Sequence, residues 1–507
     1  MRRRSFLRTA GAGLGAAAVL SLVPRFARAA GFGDVPPESK QRMLPPEVRA
    51  TNVLEVFLYG GLSQWESLYL VEQYGRPTDP QYPNEQYYGS AADVETFLSD
   101  CGETAAERWR PYATDALGAT VNIGPYARAL WDRPDVTKRM RVLVQKHDVD
   151  PHEAAIPLAL TGKRVGNPLM AGLGTHIQRY FGDREPGRKT PFSYLLRRSA
   201  AEDSDAALDA ALTTGAHPGS ARPLRINVDS VGRLGELLAR PGAGTPPERA
   251  HVDALLATYV DQYQQRLRWK GQGDPLRSPR LRELASAATS VSNADAIAAI
   301  MEPQLLTPMP RTVCAHADPL DVPAMSLRLA AHLLTHPTQA ARYVCVVDSG
   351  VVATPAGGYD THFTALAQSY NLHNGLTELL SIINKPGEHD PGKIDLDRTL
   401  VIINTEFGRT PRADDLGDAR NHHPAAYVTA LIGGPIRTAQ AGISGAIGPD
   451  GLATDPLAPS ENRIAALLAL GIYPFDQESF AVSDAPGVMS EADGVDRITR
   501  RALGYTL

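Results

Sequence analysis

The chain has 507 residues, of which 43% are hydrophobic and 21% are charged. This composition excludes a disordered chain and supplies enough apolar side chains for one large α/β domain or two ordinary domains. The formal net charge is −5, and basic residues do not cluster beyond the N-terminus, which argues against nucleic acid or an anionic membrane as the main partner.

The first 29 residues have the features of an export signal. A basic start precedes a short stretch rich in Ala, Gly, Leu and Val, and residues 27–29 form a small-x-small cleavage site. The run RRSFL at residues 3–7 resembles the twin-arginine signal. A membrane anchor is disfavoured because the apolar stretch is too short and too rich in Ala and Gly. We therefore expect export through the twin-arginine translocase to give a periplasmic or secreted chain of net charge −11 without a membrane span.

Five short apolar runs predict the strands of a sheet. They are rich in β-branched residues and alternate with longer, partly helical segments, as in a parallel sheet covered on both faces. The runs are residues 52–59, 141–146, 342–347, 399–405 and 426–433. The sequence therefore predicts an α/β fold with a doubly wound, mostly parallel central sheet, formed by an N-terminal part (30–199) and a C-terminal part (311–507).

Residues 200–310 differ from both parts of this core. The segment begins rich in Ala and Asp, passes through a Pro/Gly-rich stretch and then shows helical periodicity. We expect a mainly helical insertion or cap that supplies no metal ligand.

Polar side chains lie next to every predicted strand, on the side where we expect one edge of the sheet. Ligands gather beyond the carboxyl ends of strands in such sheets. The side chains are Ser63 after the first run, Asp148 and His152 after the second, Asp360 and His362 after the third, Glu406 and Arg409 after the fourth, and Asn421, His422 and His423 before the fifth.

These residue types favour a metal or catalytic centre. Imidazole with carboxylate is the ligand set of zinc, manganese or iron sites, and an adjacent arginine suits an oxyanion. Each motif alone also fits a turn with a hydrogen-bonded histidine or a surface histidine pair. Taken together, the clusters favour a metal or catalytic centre, and Asp360, His362, Glu406 and His422 are the candidate ligands for one or two divalent cations.

The three cysteines, Cys101, Cys314 and Cys345, do not add to this centre. Their odd number and the lack of CxxC spacing argue against a metal or redox role. Cys345 lies inside a predicted strand and is most simply a small buried hydrophobic residue.

Six motifs occur in the chain in a fixed order: FLYGGLSQWES, DPHEAAIPLALTG, NPLMAGLGTHI, GGYDTH, TLVIINTEFGRTP and RNHHP. This series, over residues 50–180 and 325–475, resembles the DUF1501 family of exported bacterial proteins, and GGYDTH with TEFGRTP is its most specific pair. Members of that family are similar to the alkaline phosphatase and sulfatase superfamily. The resemblance implies a doubly wound sheet with metals at its strand ends.

The superfamily also implies roles for individual residues. Sulfatases have a nucleophilic Cys nine residues before a Thr-Gly pair, and counting back from Thr161 gives His152 at that position. Phe407 stands where phosphatases have a histidine ligand. The resemblance implies that His152 is a metal ligand, a general acid or base, or a covalent nucleophile, and that Arg409 stabilises an anionic transition state. It also makes His373 a ligand or the hydrogen-bond partner of one.

The expected function is that of an exported metal-dependent hydrolase. It would act on a phosphate or sulfate ester of a small molecule or a polymer and use a divalent metal: zinc, manganese or calcium. Ser63, Asp148, His373, Asn421 and His423 are expected as supporting residues or additional ligands. Two alternatives stay open: a non-catalytic periplasmic metal-binding or scaffold protein with a degenerate site, and an enzyme with unrelated chemistry on the same fold.

Replacing both Arg3 and Arg4 by Lys should retain the precursor in the cytoplasm, because a receptor reads the arginine pair rather than the hydrophobicity of the segment. Fractionation of cells followed by immunoblotting measures the exported share. Normal accumulation of this variant outside the cytoplasm would show that the chain uses another route.

Overall fold

The structure of the protein is a computed structural model that covers most of the chain beyond its N-terminus. The described residues are 31–74, 91–103, 108–198, 222–230, 246–269, 293–301, 305, 311–314, 316–318, 321–352, 358–362, 366–413 and 420–506. The export signal predicted in residues 1–29 lies outside them. Within them, no helix combines the length and the apolar character that crossing a membrane requires.

Among the described residues, the strands form one eight-stranded sheet and several two-stranded ribbons. In chain order they are β1 (Asn52–Leu58), β2 (Arg110–Thr114), β3 (Thr120–Ile123), β4 (Met140–Gln145), β5 (Ser193–Arg197), β6 (Leu224–Asn227), β7 (Arg311–Val313), β8 (His316–Asp318), β9 (Tyr343–Asp348), β10 (Thr399–Thr405), β11 (Gly408–Ala413), β12 (Arg420–His423), β13 (Tyr427–Gly433), β14 (Gly442–Ser444), β15 (Ala446–Ile447) and β16 (Ala453–Thr454).

Helices connect most of these strands. The α-helices are α1 (Ala91–Asp100), α2 (Pro134–Thr137), α3 (His152–Thr161), α4 (Leu173–Arg184), α5 (Pro246–Trp269), α6 (Ala294–Ile300), α7 (Val322–Thr335), α8 (Leu366–Ser381), α9 (Pro459–Ala469) and α10 (Glu491–Leu503). Short 3₁₀ helices occupy Pro37–Arg42, Pro46–Val48, Glu72–Tyr74, Pro125–Asp132, Val228–Ser230, Thr438–Gln440 and Val482–Asp484.

The large sheet has the strand order β14-β4-β13-β10-β1-β9-β5-β6. In its centre, β1 pairs in parallel with β10 and β9, whereas β13 is antiparallel to both of its neighbours, β10 and β4. The predicted α/β class is confirmed, and the sheet is mixed because β13 runs against the other strands. Since central strands are covered on both faces, β1 and β10 are buried at every position and read as continuous apolar runs.

One edge of this sheet collects the segments that carry the polar motifs. Leu58 pairs with Thr405 and with Asp348, so β1, β10 and β9 end at the same level. The antiparallel strand β13 begins at this edge, where Tyr427 pairs with Gln145, the last residue of β4. The segment that precedes β13 therefore lies beside the segments that follow β1, β4, β9 and β10.

Helices cover both faces of the sheet, as expected. Successive residues of a strand point to opposite faces. Leu54 and Val56 of β1 pack in a cluster that includes residues of α7 and α8, and Val53 and Phe57 pack in another that includes residues of α3, α4, α9 and α10. The two clusters hold the strand ends in fixed positions.

The segment 200–310, predicted as a mainly helical insertion, also contributes to the sheet. Its residues Leu224–Asn227 form β6, which pairs in parallel with β5 at the edge of the described sheet. α5 and α6 are helical, as expected. Residues 199–221, 231–245 and 270–292 lie outside the described residues, so the helical character of the whole segment stays a prediction.

The cysteines fall into two environments. Cys345 in β9 is fully buried, as predicted, and burial raises the pKa of its thiol well above the ordinary value. Cys101 and Cys314 form a disulfide, although 213 residues separate them. The odd number of cysteines provided no basis for predicting this pairing.

A buried ion pair ties α9 to the middle of β1. Both carboxylate oxygens of Glu55 accept hydrogen bonds from Nη1 of Arg463, at 2.6 and 2.8 Å, and both side chains are buried. The Tyr343 hydroxyl (2.6 Å) and the Asn404 amide (3.0 Å) donate to the same carboxylate. Since a buried charge needs such partners, this network determines where α9 packs on the sheet.

Glu55→Ala should lower the free energy of unfolding by roughly 3–5 kcal/mol, because Arg463 would keep a buried charge without a counterion. Urea denaturation at equilibrium measures this change. Asp397→Ala is the matched control, since it removes the exposed partner of Arg437 and should cost less than about 1 kcal/mol. Equal losses in the two variants would contradict the importance of the buried pair.

Candidate metal centre

Two glycines allow the loops at this edge to approach each other. Gly60 and Gly61 follow β1 with φ angles of 114° and 93°, a region that residues with a side chain rarely adopt. A Cβ atom on Gly60 would lie 2.2 Å from the backbone nitrogen of Asp360. The loop after β1 therefore packs directly on the backbone of the GGYDTH segment and sets the position of Asp360.

Three side chains from different elements converge beside this contact. His152 is the first residue of α3, Asp360 lies in the segment after β9, and His422 lies in β12. Each offers a ligand atom, and the three atoms lie within 4.8 Å of one another. Asp360 Oδ2 is 3.4 Å from His152 Nε2, and Asp360 Oδ1 is 3.7 Å from His422 Nε2.

His152 Nε2 provides a test of whether these residues fit a metal. This nitrogen is buried and makes no hydrogen bond with another described residue, although the Asp360 carboxylate lies 3.4 Å away and pairs with the ring when it is protonated. A buried polar atom normally has a hydrogen-bond partner, and a bound ion is one group that can take its place. Two imidazoles and a carboxylate are also the donor set of zinc-type sites. The residues therefore fit a divalent metal.

His362 lies at the outer side of this group. Its Nε2 is 3.1 Å from Asp360 Oδ1 and 3.0 Å from His422 Nε2. Two ring nitrogens at this distance repel unless a proton or a cation lies between them. The His362 side chain is 27% exposed, against 15% for His422 and 2% for Asp360, so His362 is the most accessible of the three.

Glu406 lies behind His152, which differs from its predicted role as a ligand. Its Oε1 is 2.9 Å from His152 Nδ1 and accepts a hydrogen bond from the Gly60 N–H at 2.7 Å. The His147 ring fixes the backbone here, because its Nδ1 accepts from Val149 N–H and its Nε2 donates to the Glu406 carbonyl oxygen at 2.7 Å. A carboxylate on the far nitrogen of a metal-binding histidine orients the ring. Glu406 thus directs His152 Nε2 towards Asp360.

Arg409 lies beneath Asp360, not in the predicted position facing a substrate. The residue is 0% exposed, and its Nη2 donates to Asp360 Oδ1 at 2.6 Å. The guanidinium also donates to the carbonyl oxygens of Gly60, Gly61 and Tyr359. It therefore joins the loop after β1 to the segment after β9 and orients the carboxylate, and this geometry does not support direct contact with a substrate oxyanion.

The β11–β12 hairpin explains how the last two motifs meet. Arg409 pairs with His422 across this hairpin, which brings TEFGRTP and RNHHP side by side. Phe407 packs its ring 4.3 Å from the His422 ring and 4.9 Å from the His152 ring. The phenyl ring thus contacts both imidazoles, whose own ring centres lie 4.5 Å apart.

A second buried ion pair positions β12 and was not predicted. Arg420 contacts Glu66 at 2.6 Å, and both side chains are buried. Ser63 donates its hydroxyl hydrogen to the same carboxylate. Because Arg420 lies two residues before His422, this pair anchors the strand that carries His422. Glu66 follows the first strand in the sequence, but nothing in the sequence indicates that its partner lies more than 350 residues away.

The electrostatics of the group follow from these contacts. Burial alone would raise the pKa of Asp360, but its contacts with the three histidines and the charge of Arg409 hold it far below the ordinary range. Burial alone would lower the pKa of His152, but Asp360 and Glu406 outweigh it and raise the value to about 9. Burial lowers the pKa of Arg409, and the neighbouring Asp360 opposes this effect. These contacts favour a protonated His152 opposite an ionised Asp360.

The remaining predicted residues lie at or beyond the margin of the group. Asp148 is exposed and pairs with Arg164. Asn421 is exposed and accepts a hydrogen bond from the backbone N–H of His422 at 2.7 Å. The His423 ring contacts the Gly451 carbonyl oxygen at 2.8 Å.

His373 does not join the group. It lies in α8, packs against Phe97 with the ring centres 5.7 Å apart, and is close to Cys101 and Cys314.

Asp150, which we did not select from the sequence, is 3.3 Å from His422 Nδ1 and its side chain is 71% exposed. The DPHE motif pointed to this segment of the chain. An exposed acidic residue in a loop, however, has no sequence pattern that singles it out.

Comparison with family models gives one match, over residues 336–471, to the family described as "Protein of unknown function (DUF1501)". The match supports the DUF1501 family. It includes Asp360, His362, Glu406 and His422, whereas His152 lies outside it. The searches of curated proteins and of solved structures found no match. The further relation to the alkaline phosphatase and sulfatase superfamily stays a prediction.

Zinc should bind more tightly as the pH rises through the neutral range. His152, with a pKa of about 9, carries a proton that must leave before Nε2 can bind a metal. This one proton gives an increase of about tenfold in affinity per pH unit between roughly pH 6.5 and 8.5. Competition titration with a chromophoric chelator measures the affinity across this range.

Two variants control this experiment. Asp360→Asn should lose zinc binding at every pH because it removes the anionic ligand. Lys393→Ala, which removes a partly exposed side chain paired with Glu388, should bind zinc like the wild type. An affinity that does not change with pH, or that survives in Asp360→Asn, would contradict the assigned ligands.

Proposed function

We propose that the protein is an exported metal-dependent hydrolase of phosphate or sulfate esters, related to the alkaline phosphatase and sulfatase superfamily. The observation that carries the proposal is the convergence of His152, Asp360 and His422 at one edge of the sheet, with Glu406 holding the His152 ring. A divalent metal bound by these three side chains would polarise an ester and activate water. Three protein ligands with an open position are typical of catalytic zinc sites.

One metal fits the group better than two. The Phe407 ring occupies the position of a further histidine ligand and packs against both His152 and His422. Arg409 and Glu406 are fully buried and engaged with backbone groups, so they orient ligands instead of binding a second ion. The proposed centre is therefore mononuclear.

The N-terminus of α3, in place of Arg409, would stabilise the negative charge of the transition state. His152 is the first residue of this ten-residue helix. The first N–H groups of a helix have no partner within the helix, and the helix dipole is positive at this end. An ester oxygen bound beside His152 would face this end, and developing negative charge would be stabilised there.

His362 is the side chain best placed to transfer a proton. It is the most exposed histidine of the group, and its Nε2 lies 3.0 Å from His422 Nε2. An imidazole at the open side of the centre can protonate a leaving oxygen. His152 is less suitable, because Glu406 engages its Nδ1 and its Nε2 faces Asp360.

A non-catalytic metal-binding protein is the second candidate. Its specific support comes from His152, the residue expected to be the nucleophile. Both ring nitrogens of His152 face carboxylates. The Ser63 hydroxyl donates to Glu66, but the buried ion pair of Glu66 with Arg420 makes this carboxylate a weak base for activating the hydroxyl as a nucleophile. A covalent route is thus disfavoured, and turnover requires water as the nucleophile.

Hydrolysis of aryl phosphate monoesters, aryl phosphate diesters and aryl sulfates by the zinc- or manganese-loaded chain tests the proposal. Glu406→Gln should retain metal but lower kcat by about 10- to 100-fold, because the ring of His152 loses its anionic partner. Asp360→Asn should lose both metal and activity, and Lys393→Ala should keep both.

The two candidate functions give different results in this assay. A metal-loaded wild type that turns over none of these esters, yet binds phosphate or sulfate in calorimetry, would support the binding protein. Activity that persists in metal-free protein or in Asp360→Asn would refute the assigned centre.

A further inference from the structure

A second group of metal-binding side chains lies away from the candidate metal centre. Cys101 directly follows α1, Cys314 directly follows β7, and His373 lies in the middle of α8. The two sulfur atoms and a ring nitrogen of His373 lie within 4.8 Å of one another. In the structure the two cysteines form a disulfide, so they are not ligands in this state.

Packing between α1 and α8 holds Cys101 next to His373 without the disulfide. The Phe97 ring lies edge-on to the His373 ring at 5.7 Å and also packs against the Tyr370 ring at 6.1 Å. The Tyr370 hydroxyl donates to Asp100, the residue before Cys101. Cys101 would therefore stay next to His373 when its bond to Cys314 is broken.

We propose that reduction of this disulfide creates a site for a thiophilic divalent cation such as Zn²⁺, with the Cys101 and Cys314 thiolates and the His373 imidazole as ligands. A dithiol reductant supplies two electrons and two protons to the sulfur atoms and is itself oxidised to a disulfide. Binding of the cation then releases the two thiol protons. The inference does not depend on the proposed hydrolase activity.

The geometry suits one tetrahedral ion. Thiolate sulfur lies about 2.3 Å and imidazole nitrogen about 2.0–2.1 Å from zinc, so ligand atoms around one ion are separated by roughly 3–4 Å. After reduction the two sulfur atoms must move apart to reach this spacing, and both already lie within 4.8 Å of the imidazole nitrogen. His373 lines a cavity of about 340 Å³ together with Glu103, Arg128 and Thr377, which gives solvent and ions access to the imidazole.

The site would replace one cross-link by another. The disulfide joins the end of α1 to the β7–β8 hairpin across 213 residues of sequence, and a shared ion would join the same two segments and α8 as well. Soft thiolate ligands distinguish this site from the imidazole and carboxylate ligands of the candidate metal centre. Export predicted from the N-terminal sequence would carry the chain from a reducing into an oxidising compartment, so that the thiol form precedes the disulfide.

Cobalt spectroscopy on the full chain tests this inference. The protein is reduced with dithiothreitol, freed of reductant under nitrogen and titrated with Co²⁺. The reduced wild type should bind one equivalent with a thiolate-to-cobalt charge-transfer absorption, and the oxidised wild type should show none. Ions at the candidate metal centre give no such absorption because its ligands contain no sulfur, so Asp360→Asn should retain the signal.

Variants separate the three ligands. Cys314→Ser should abolish the charge-transfer absorption, and Cys345→Ala, which removes a buried thiol outside the group, should retain it. His373→Ala should weaken Co²⁺ binding by at least about a hundredfold. Removing only the hydrogen-bond partner of a metal ligand already lowers metal affinity by about 10- to 100-fold, and this variant removes the ligand itself.

Two results would overturn the proposal. One is a reduced wild type without the charge-transfer absorption, which requires no variant to fold. The other is a reduced His373→Ala protein that binds Co²⁺ as tightly as the wild type, since the imidazole would then not be a ligand.

Discussion

The candidate metal centre depends on one buried charge, the Asp360 carboxylate. Removing a carboxylate from water is unfavourable, and Arg409, itself buried, compensates with a hydrogen bond of 2.6 Å. The same guanidinium donates to backbone carbonyl groups of the loop after β1. The Arg409 guanidinium therefore neutralises the charge and docks the two loops at the same time. Glu406 adds a second carboxylate beside His152, and the resulting negative charge favours either protons on the surrounding imidazoles or a cation between them.

The rest of the scaffold serves to hold side chains around this carboxylate. Glu406 and His147 fix His152 from behind, and the Glu66–Arg420 pair anchors the strand of His422. These supporting groups are buried, whereas the ring of His362 reaches solvent. Binding sites gain precision when ligands are oriented by buried partners on rigid elements. Buried partners thus orient the side chains around Asp360, and one side of the group stays open to solvent.

Helix α8 links the two groups of metal-binding side chains. Near its beginning, the Gln368 amide contacts the backbone of Gly61, Tyr359 and Ser63, and so supports the loops around Asp360. Five residues later, His373 faces α1 and the two cysteines. The side chains of the two groups differ in chemistry, because imidazole and carboxylate suit borderline cations whereas thiolates select softer ones. One helix therefore contacts both groups of side chains.

Much of the fold and of the candidate site was accessible from the sequence. Buried parallel strands leave continuous apolar runs, so the five runs correctly located β1, β4, β9, β10 and β13. Ligand-type residues beside strand ends located Asp360, His362, His422 and His152 without any knowledge of pairing. Cys345 was identified as buried for the same reason, since it lies inside such a run.

Only the tertiary structure decided the directions and roles. Strand direction depends on pairing between distant segments, so the antiparallel course of β13, which brings His422 to the site edge, has no local signal. The amino-acid sequence does not distinguish a carboxylate or an arginine that binds an ion from one that orients a ligand or neutralises a buried charge. The roles of Glu406 and Arg409 follow from which atoms surround them after folding, as do the Glu66–Arg420 pair and the Cys101–Cys314 bond. Local sequence fixes which groups are available, and long-range packing fixes what each of them contacts.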